Sequence, residues 1–454
     1  MAIRSVLLLL APLLLSACSV IDPNNILGRS GSMEPPEVTP FPMPDTTWKR
    51  DAINTVFETV QTRYYDPALN GVDWGAARRT YEPLLLAAQT DDEFWELLDK
   101  FTGVLKDSHT RVHSPKDVRN AREKEVHALG IALAEIEGKM LVTGVNGDSD
   151  AYFAGVRSGM TVTQIEGKPA LNYLRQLEAN VRETSTPWTR KRVAFRKLLA
   201  GDVDSKILMQ FARIGAHANG SGDIIATLKR RSFGTGSDTS ARILPSGYGY
   251  IRFSGFSLTS QSRVLAGIEK LKDTPGLIID VRNNGGGLAA AAQNITMRFF
   301  TEDKLGAQAL TRDGKPITVL FYPVIPLSPV LKANAALAYT KPLVILTNES
   351  SASASELMAS LLQDFGRATI VGQRTCGCLL GYIGLMDLPG GGQMAYSEIG
   401  YRSPKGRRIE GEGVTPDIAV ALTIDDIITQ RDRSLEAAEA HLTSVSRLSK
   451  EEKK

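Results

Sequence analysis

The sequence predicts an α/β protein built on a largely parallel sheet covered by helices. Three observations carry that expectation. From Ala241 onward, short apolar runs at 248–253, 276–282 and 343–346 alternate with helical-period stretches at 261–271 and 289–300. The stretch 343–365, LVILTNESSASASELMASLLQDF, reads as a buried strand, a small polar turn and a helix with Leu357, Met358, Leu361, Leu362 and Phe365 at helical spacing. Finally, Gly285, Gly286 and Gly287 follow the strand 276–282 directly. In sheets of this kind, sites form at the carboxyl ends of strands.

The 454 residues suffice for about three domains at ordinary domain sizes. Apolar content is 43%, charged content 23% and net charge +3, ordinary globular values that argue against a nucleic-acid partner or a polybasic membrane patch. Residues 1–17 begin with Arg4, continue through the apolar run Val6–Leu15 and end in small residues, the pattern of a secretory signal and too short for a membrane span. Leu15-Ser16-Ala17-Cys18 resembles the bacterial lipobox, which implies lipidation at Cys18. Residues 18–45, rich in Pro, Asn, Gly and Ser, suit a flexible tether. Together these imply a chain in the bacterial cell envelope, lipid-anchored and facing the periplasm. Ser19, in place of a retention aspartate, favours the outer membrane.

Residues 46–115 read as a helical domain, with helices near Trp74–Leu86 and Asp91–Leu105 and with Asp91 or Asp92 as cap of the latter. Across 116–232 the period changes to that of strands, at 128–133 and 140–145, and a helical stretch, 171–199, follows. The order of elements, with A-G-V-R-S-G-M at 154–160 and I-E-G at 165–167, resembles a PDZ domain, a module that binds a chain end as an added strand. Residues 241–423 form the α/β core, and 424–454 a charged terminal helix with a lysine-rich tail.

The candidate chemistry has four pieces. The loop after strand 276–282 carries Gly285 and Gly286, whose N–H groups can approach a ligand closely, as an oxyanion hole requires. No G-x-x-x-x-G-K-[S/T] or G-x-G-x-x-G pattern accompanies it, so nucleotide binding has little support. Ser351, Ser353 and Ser355 lie at a helix start, where unpaired N–H groups favour negative charge, although serines there also serve as plain caps. A serine nucleophile calls for a base such as histidine. Of the five histidines, His109 stands where the helical domain ends, in Asp107-Ser108-His109-Thr110. Glu410 is a carboxylate able to orient an imidazole, or a solvated loop residue.

These motifs resemble the tail-specific, or C-terminal processing, peptidase family. D-V-R-N-N-G-G-G at 280–287, S-A-S-A-S-E at 351–356, V-G-Q-R-T at 371–375 and G-V-T-P-D at 413–417 occur in family order. The resemblance implies a crotonase/ClpP-like core beside the PDZ-like and helical domains, with Ser353 as nucleophile and the N–H groups of Ala354 and of Gly285 or Gly286 as oxyanion hole. Much of the family uses a Ser-Lys dyad, but Cys378 occupies the lysine position here. The branch similar to the tricorn core protease uses Ser, His, a second Ser and Glu, and Ser353, His109, Ser108 and Glu410 match it. The resemblance then implies a serine endopeptidase working through an acyl-enzyme, without metal or cofactor, on unfolded or C-terminally exposed polypeptides among exported proteins. Two rivals share the fold: an inactive peptide- or lipid-binding protein, and an acyl-transfer hydrolase. Lys405 is a further possible base and Cys378 a further possible nucleophile. Cys376 and Cys378, separated by one residue, are poorly spaced for a disulfide and are expected as packed thiols.

Overall fold

A six-stranded sheet organises the larger part of the molecule. Its order is Thr239–Ile243, Gly249–Phe253, Leu277–Asp280, Leu343–Thr347, Thr369–Gly372 and Ile418–Ala419. The first pair is antiparallel and every later pair parallel. Leu277–Asp280 and Leu343–Thr347 are buried along their whole length, as expected where helices cover both faces. Register pairs Asp280 with Leu346, so the two strands end side by side. The computed structural model describes residues 47–123, 127–214, 223–233 and 239–451. The expected signal segment 1–17, Cys18 and the whole tether 18–45 lie outside these residues.

The chain forms two compact units. The larger comprises Arg119–Glu302, Ala333–Gly377 and Gly411–Lys454. Besides the parallel sheet it holds an antiparallel sheet in the order Ile131–Ile136, Lys139–Val145, Thr161–Ile165, Lys206–Ala212 and Ile224–Lys229. Leu129, Val142, Val162, Met209, Phe211 and Leu228 build its core. The helical stretch expected over 171–199 is two helices, Ala170–Asn180 and Pro187–Leu199. Thr186 caps the second by accepting from the Thr189 N–H, and Pro187 takes the first-turn position that a proline tolerates. The terminal helix Arg433–Glu451 packs Ala438 and Leu442 in one cluster with Tyr248 and with Ile278 and Val344 of the parallel sheet.

The smaller unit comprises the described residues up to Val118 with Asp303–Lys332 and Cys378–Glu410. Helices Thr47–Arg63, Trp74–Ala87 and Asp91–Gly103 bury Trp48, Ile53, Val56, Trp74, Phe94 and Leu98. The cap of the third is Thr90, not Asp91 or Asp92: its hydroxyl accepts from the Glu93 N–H at 3.1 Å. The two aspartates fall in the first turn, where the helix dipole favours them. Residues late in the chain complete this core, because Leu388, Met394 and Tyr396 join the helical cluster. Arg111–His113 pairs antiparallel with Gln393–Ala395. The segments 303–332 and 378–410, which fall inside the expected 241–423 core, thus cluster with the helices.

Candidate active site

Ser353 follows the carboxyl end of strand Leu343–Thr347 and precedes the helix Ala354–Asp364. Its backbone is at φ +54, ψ −114, close to the first central position of a type II′ turn, which normally takes glycine. A non-glycine residue held there stores roughly 1–3 kcal/mol of strain, a cost that clusters at functional positions. Between Ser351 and Leu362, only Ser353 is not buried. The flanking serines are used internally: Ser351 Oγ donates to the Val281 carbonyl at 2.8 Å and Ser355 Oγ to the Asn284 carbonyl at 2.9 Å. Those bonds fasten the serine turn to the glycine loop of the neighbouring strand.

The glycine loop lies against Ser353. A Cβ at Gly286 would come within 2.7 Å of Ser353 Cβ and 2.9 Å of the Ala354 nitrogen. No side chain larger than hydrogen fits, and φ +97 at Gly286 adds a second reason for glycine. The Gly286 N–H donates to Asn284 Oδ1 at 3.0 Å, so that donor is already engaged. A Cβ at Gly285 would meet nothing, and the loop there borders open space. Ala354 opens its helix, so its N–H has no acceptor within that helix.

Glu356 is the residue that sequence reasoning passed over. Its carboxylate is fully buried, and Oε2 accepts the Ser353 N–H at 2.9 Å. Oε1 accepts from Thr375 Oγ1 at 2.6 Å and the Gly377 N–H at 2.7 Å. The signal was present in the sequence, since a serine followed three residues later by glutamate is a capping-box spacing. The Cys376 N–H adds a bond to the Ser351 carbonyl at 2.9 Å. The guanidinium of Arg192 stands near this turn, reaching toward the Ser350 carbonyl and Cys376 Sγ at 3.5 Å each.

Ser108, His109 and Glu410 belong to the smaller unit, whereas Ser353, Ala354, Gly285 and Gly286 belong to the larger. His109 is held by its backbone N–H, which donates to Asp107 Oδ1 at 2.7 Å. Asp107, also unread in the sequence, is fully buried and takes further bonds from Thr110 Oγ1 at 2.5 Å and Ser397 Oγ at 2.7 Å. The His109 ring is half-buried beside Tyr382, and its Nδ1 is buried without a hydrogen bond among the described residues. Burial pushes the imidazole below its ordinary value; Asp107 opposes that and Arg111 adds to it. A neutral imidazole near neutral pH is the form a general base requires. Glu410 is buried in the same unit, and burial together with Asp107 and Glu410 drives the Tyr64 and Tyr65 phenols far up. Arg408 Nε donates to the Glu410 carbonyl at 3.0 Å.

Cys376 and Cys378 are disulfide-bonded, which corrects the expectation of free thiols. Gly377 between them sits at φ +70, where the chain doubles back more tightly than the spacing alone suggests. The state also removes Cys378 as a nucleophile; its sulfur lies 3.8 Å from Ser108 Oγ. Lys405 is exposed. Among the described residues there is no cluster of three or more His, Cys, Asp or Glu side chains suited to a metal, and no helix is long and apolar enough to cross a membrane.

Residues 247–420 match the model of peptidase family S41, and residues 49–103 that of the tricorn protease C1 domain. A C-terminal processing peptidase of Tetradesmus obliquus chloroplasts is 28% identical over 383 residues, covering 80% of this chain and 75% of that one. A carboxyl-terminal-processing protease from a Picosynechococcus species is 24% identical, covering 82% and 84%. In solved structures, the photosystem II D1 C-terminal processing protease shares the fold with TM-score 0.54 and 23% identity over 83% of this chain and 94% of that one. Together with the serine turn and glycine loop at the ends of adjacent parallel strands, these matches show a peptidase family S41 domain over residues 247–420 in a chain that is a serine-type peptidase, a hydrolase similar to the carboxyl-terminal processing proteases.

Proposed function

We propose that this peptidase is a tail-specific endopeptidase that cleaves near the C-termini of unfolded, exported polypeptides, with Ser353 as nucleophile. The observation that carries the assignment is local. Of three serines in one turn, Ser353 alone is accessible, at a strained backbone position against Gly286, while Ser351 and Ser355 are bonded inward.

His109 accepts the Ser353 proton as the oxygen attacks the scissile carbonyl. The Ala354 N–H and Gly285 N–H stabilise the oxyanion, Gly285 being preferred over Gly286 because the latter already donates to Asn284. His109 returns the proton to the leaving amine, and water, deprotonated by the same imidazole, resolves the acyl-enzyme. Glu410, through Ser108, orients the imidazole. The antiparallel domain is PDZ-like in this reading: strand Ile131–Ile136 is the outer strand of its path, an edge on which a substrate C-terminus adds as a further strand. The helices of 47–103 form the N-terminal helical domain of the same plan. Lipidation at Cys18 places the enzyme in the envelope, facing the periplasm, most simply on the outer membrane.

The test compares wild type, Ser353→Ala and His109→Ala on an unfolded protein with an apolar C-terminus, alongside a fluorophosphonate label. Wild type is expected to cleave and to take the label at Ser353, and both variants to lose cleavage. Equal cleavage by all three would sink the mechanism.

A further inference from the structure

Residues 316–331, PITVLFYPVIPLSPVL, contain no charged side chain and are bounded by Lys315 and Lys332. A run of that composition ordinarily goes into a core. Here Ile317–Val319 and Tyr322–Ile325 form an antiparallel hairpin, with Ile317 opposite Ile325 and Val319 opposite Tyr322. Its root is anchored: Ile317 is buried with Ala309 and Ile399, and Ile325 packs on them. Its tip is bare. Leu320 is 54% exposed, Phe321 77%, Tyr322 79% and Val324 53%.

The turn itself is informative. Leu320 and Phe321 are its two central residues, at φ +52 and +65. Two consecutive left-handed residues in a two-residue hairpin loop call for Asn-Gly or a similar pair. Bulky apolar side chains there strain the backbone while standing mostly exposed. Closing the hairpin therefore does not explain them.

A second copy of the chain is a poor occupant. A convex tip of four side chains falls far short of the roughly 800 Å² per partner of a stable interface. A bilayer sets no such minimum. An apolar tip with an aromatic shoulder has the chemistry of interfacial insertion, in which Leu and Phe enter the acyl boundary and Tyr rests among headgroups. Lys315 is exposed at the root with Asp313 two residues before it, and Lys332, beyond the hairpin, is ion-paired with Asp303 at 2.6 Å, so the apolar tip and not the charge near it drives the contact. We propose that the Leu320–Val324 tip is a membrane-contact surface that dips into one leaflet of a lipid bilayer. The inference does not depend on a lipid at Cys18.

The test places a tryptophan at the tip of the full chain, Phe321→Trp, and adds vesicles of phosphatidylethanolamine and phosphatidylglycerol with or without brominated acyl chains. The new tryptophan is expected to shift to the blue and to be quenched by the brominated lipid, a change absent from the wild-type chain with its four native tryptophans. In parallel, the double variant Phe321→Ser, Tyr322→Ser is expected to bind vesicles about tenfold more weakly in a Cys18→Ser background, with cleavage of a soluble substrate unchanged. An unshifted, unquenched tryptophan would overturn the proposal. So would a blue shift that grows with protein concentration without vesicles, which would assign the tip to self-association.

Discussion

The backbone of Ser353 sets its own test. A left-handed serine is strained whether its side chain is a hydroxymethyl or a methyl, and glycine relieves the strain. Ser353→Ala is expected to lower kcat by about ten-thousand- to million-fold with little change in stability. Ser353→Gly should be equally inactive yet more stable than Ser353→Ala by on the order of 1 kcal/mol in denaturant melts. Equal stability of the two would remove strain from the account. A second residue-scale prediction concerns pH. In the proposed mechanism His109 is the base and acts only when neutral, so activity should fall as pH drops through its pKa, and burial with Arg111 places that fall below the ordinary histidine range. Arg111→Gln removes a cation, raises the imidazole pKa and should move the acid limb of kcat/KM to higher pH. A limb that stays in place would mean another group titrates. The sequence singled out Ser353 among three serines and His109 among five histidines as candidates, because both sit at element junctions. It did not show Asp107 and Glu356 at work, since what each does is accept backbone N–H groups that only the folded turns present.

At the scale of elements, Glu356 ties the Ser353 turn to the segment 375–377. One buried carboxylate satisfies three donors, and such bonds to a charged acceptor contribute about 1.5–3 kcal/mol apiece. Glu356→Gln keeps the shape but turns one acceptor into a donor facing an N–H or O–H group. It is expected to cost roughly 2–3 kcal/mol of stability and to depress kcat more than it alters KM, because Ser353 loses its fixed position. A variant with unaltered kcat would show that the turn is held by Ser351 and Ser355 alone. The strand–turn–helix around Ser353 was legible because its apolar run, small polar turn and helical period follow one another within 23 residues. The strands of 303–332 and 378–402 were not. All are two to four residues long, and several pair with strands far away in sequence, as with Arg111–His113 against Gln393–Ala395. A period cannot be read from three residues, and such pairings are set by tertiary contacts.

At the scale of the whole molecule, the chain leaves its larger unit twice to complete the smaller one. The α/β class was readable from the alternation of periods. The interleaving was not, because composition does not change at Glu302 or Cys378. Its physical basis is the helical core, which remains open without residues from late in the chain. Trp48 and Trp95 lie so close to Gly390 and Gly392 that an added Cβ would come within 2.2 Å of the one ring and 2.5 Å of the other. Leu388, Met394 and Tyr396 are buried in the same cluster. A chain truncated to 119–454 would therefore bare these apolar side chains, and exposing each large one forfeits roughly 1.5–3 kcal/mol. That chain is expected to bind a hydrophobic dye and to aggregate when expressed alone. Co-expression with 1–118 should restore a soluble complex, since the missing helices carry the complementary surface. If the truncated chain were soluble, dye-negative and cooperatively folded, the helices would be an appended domain, and the late segments would have to find their core elsewhere.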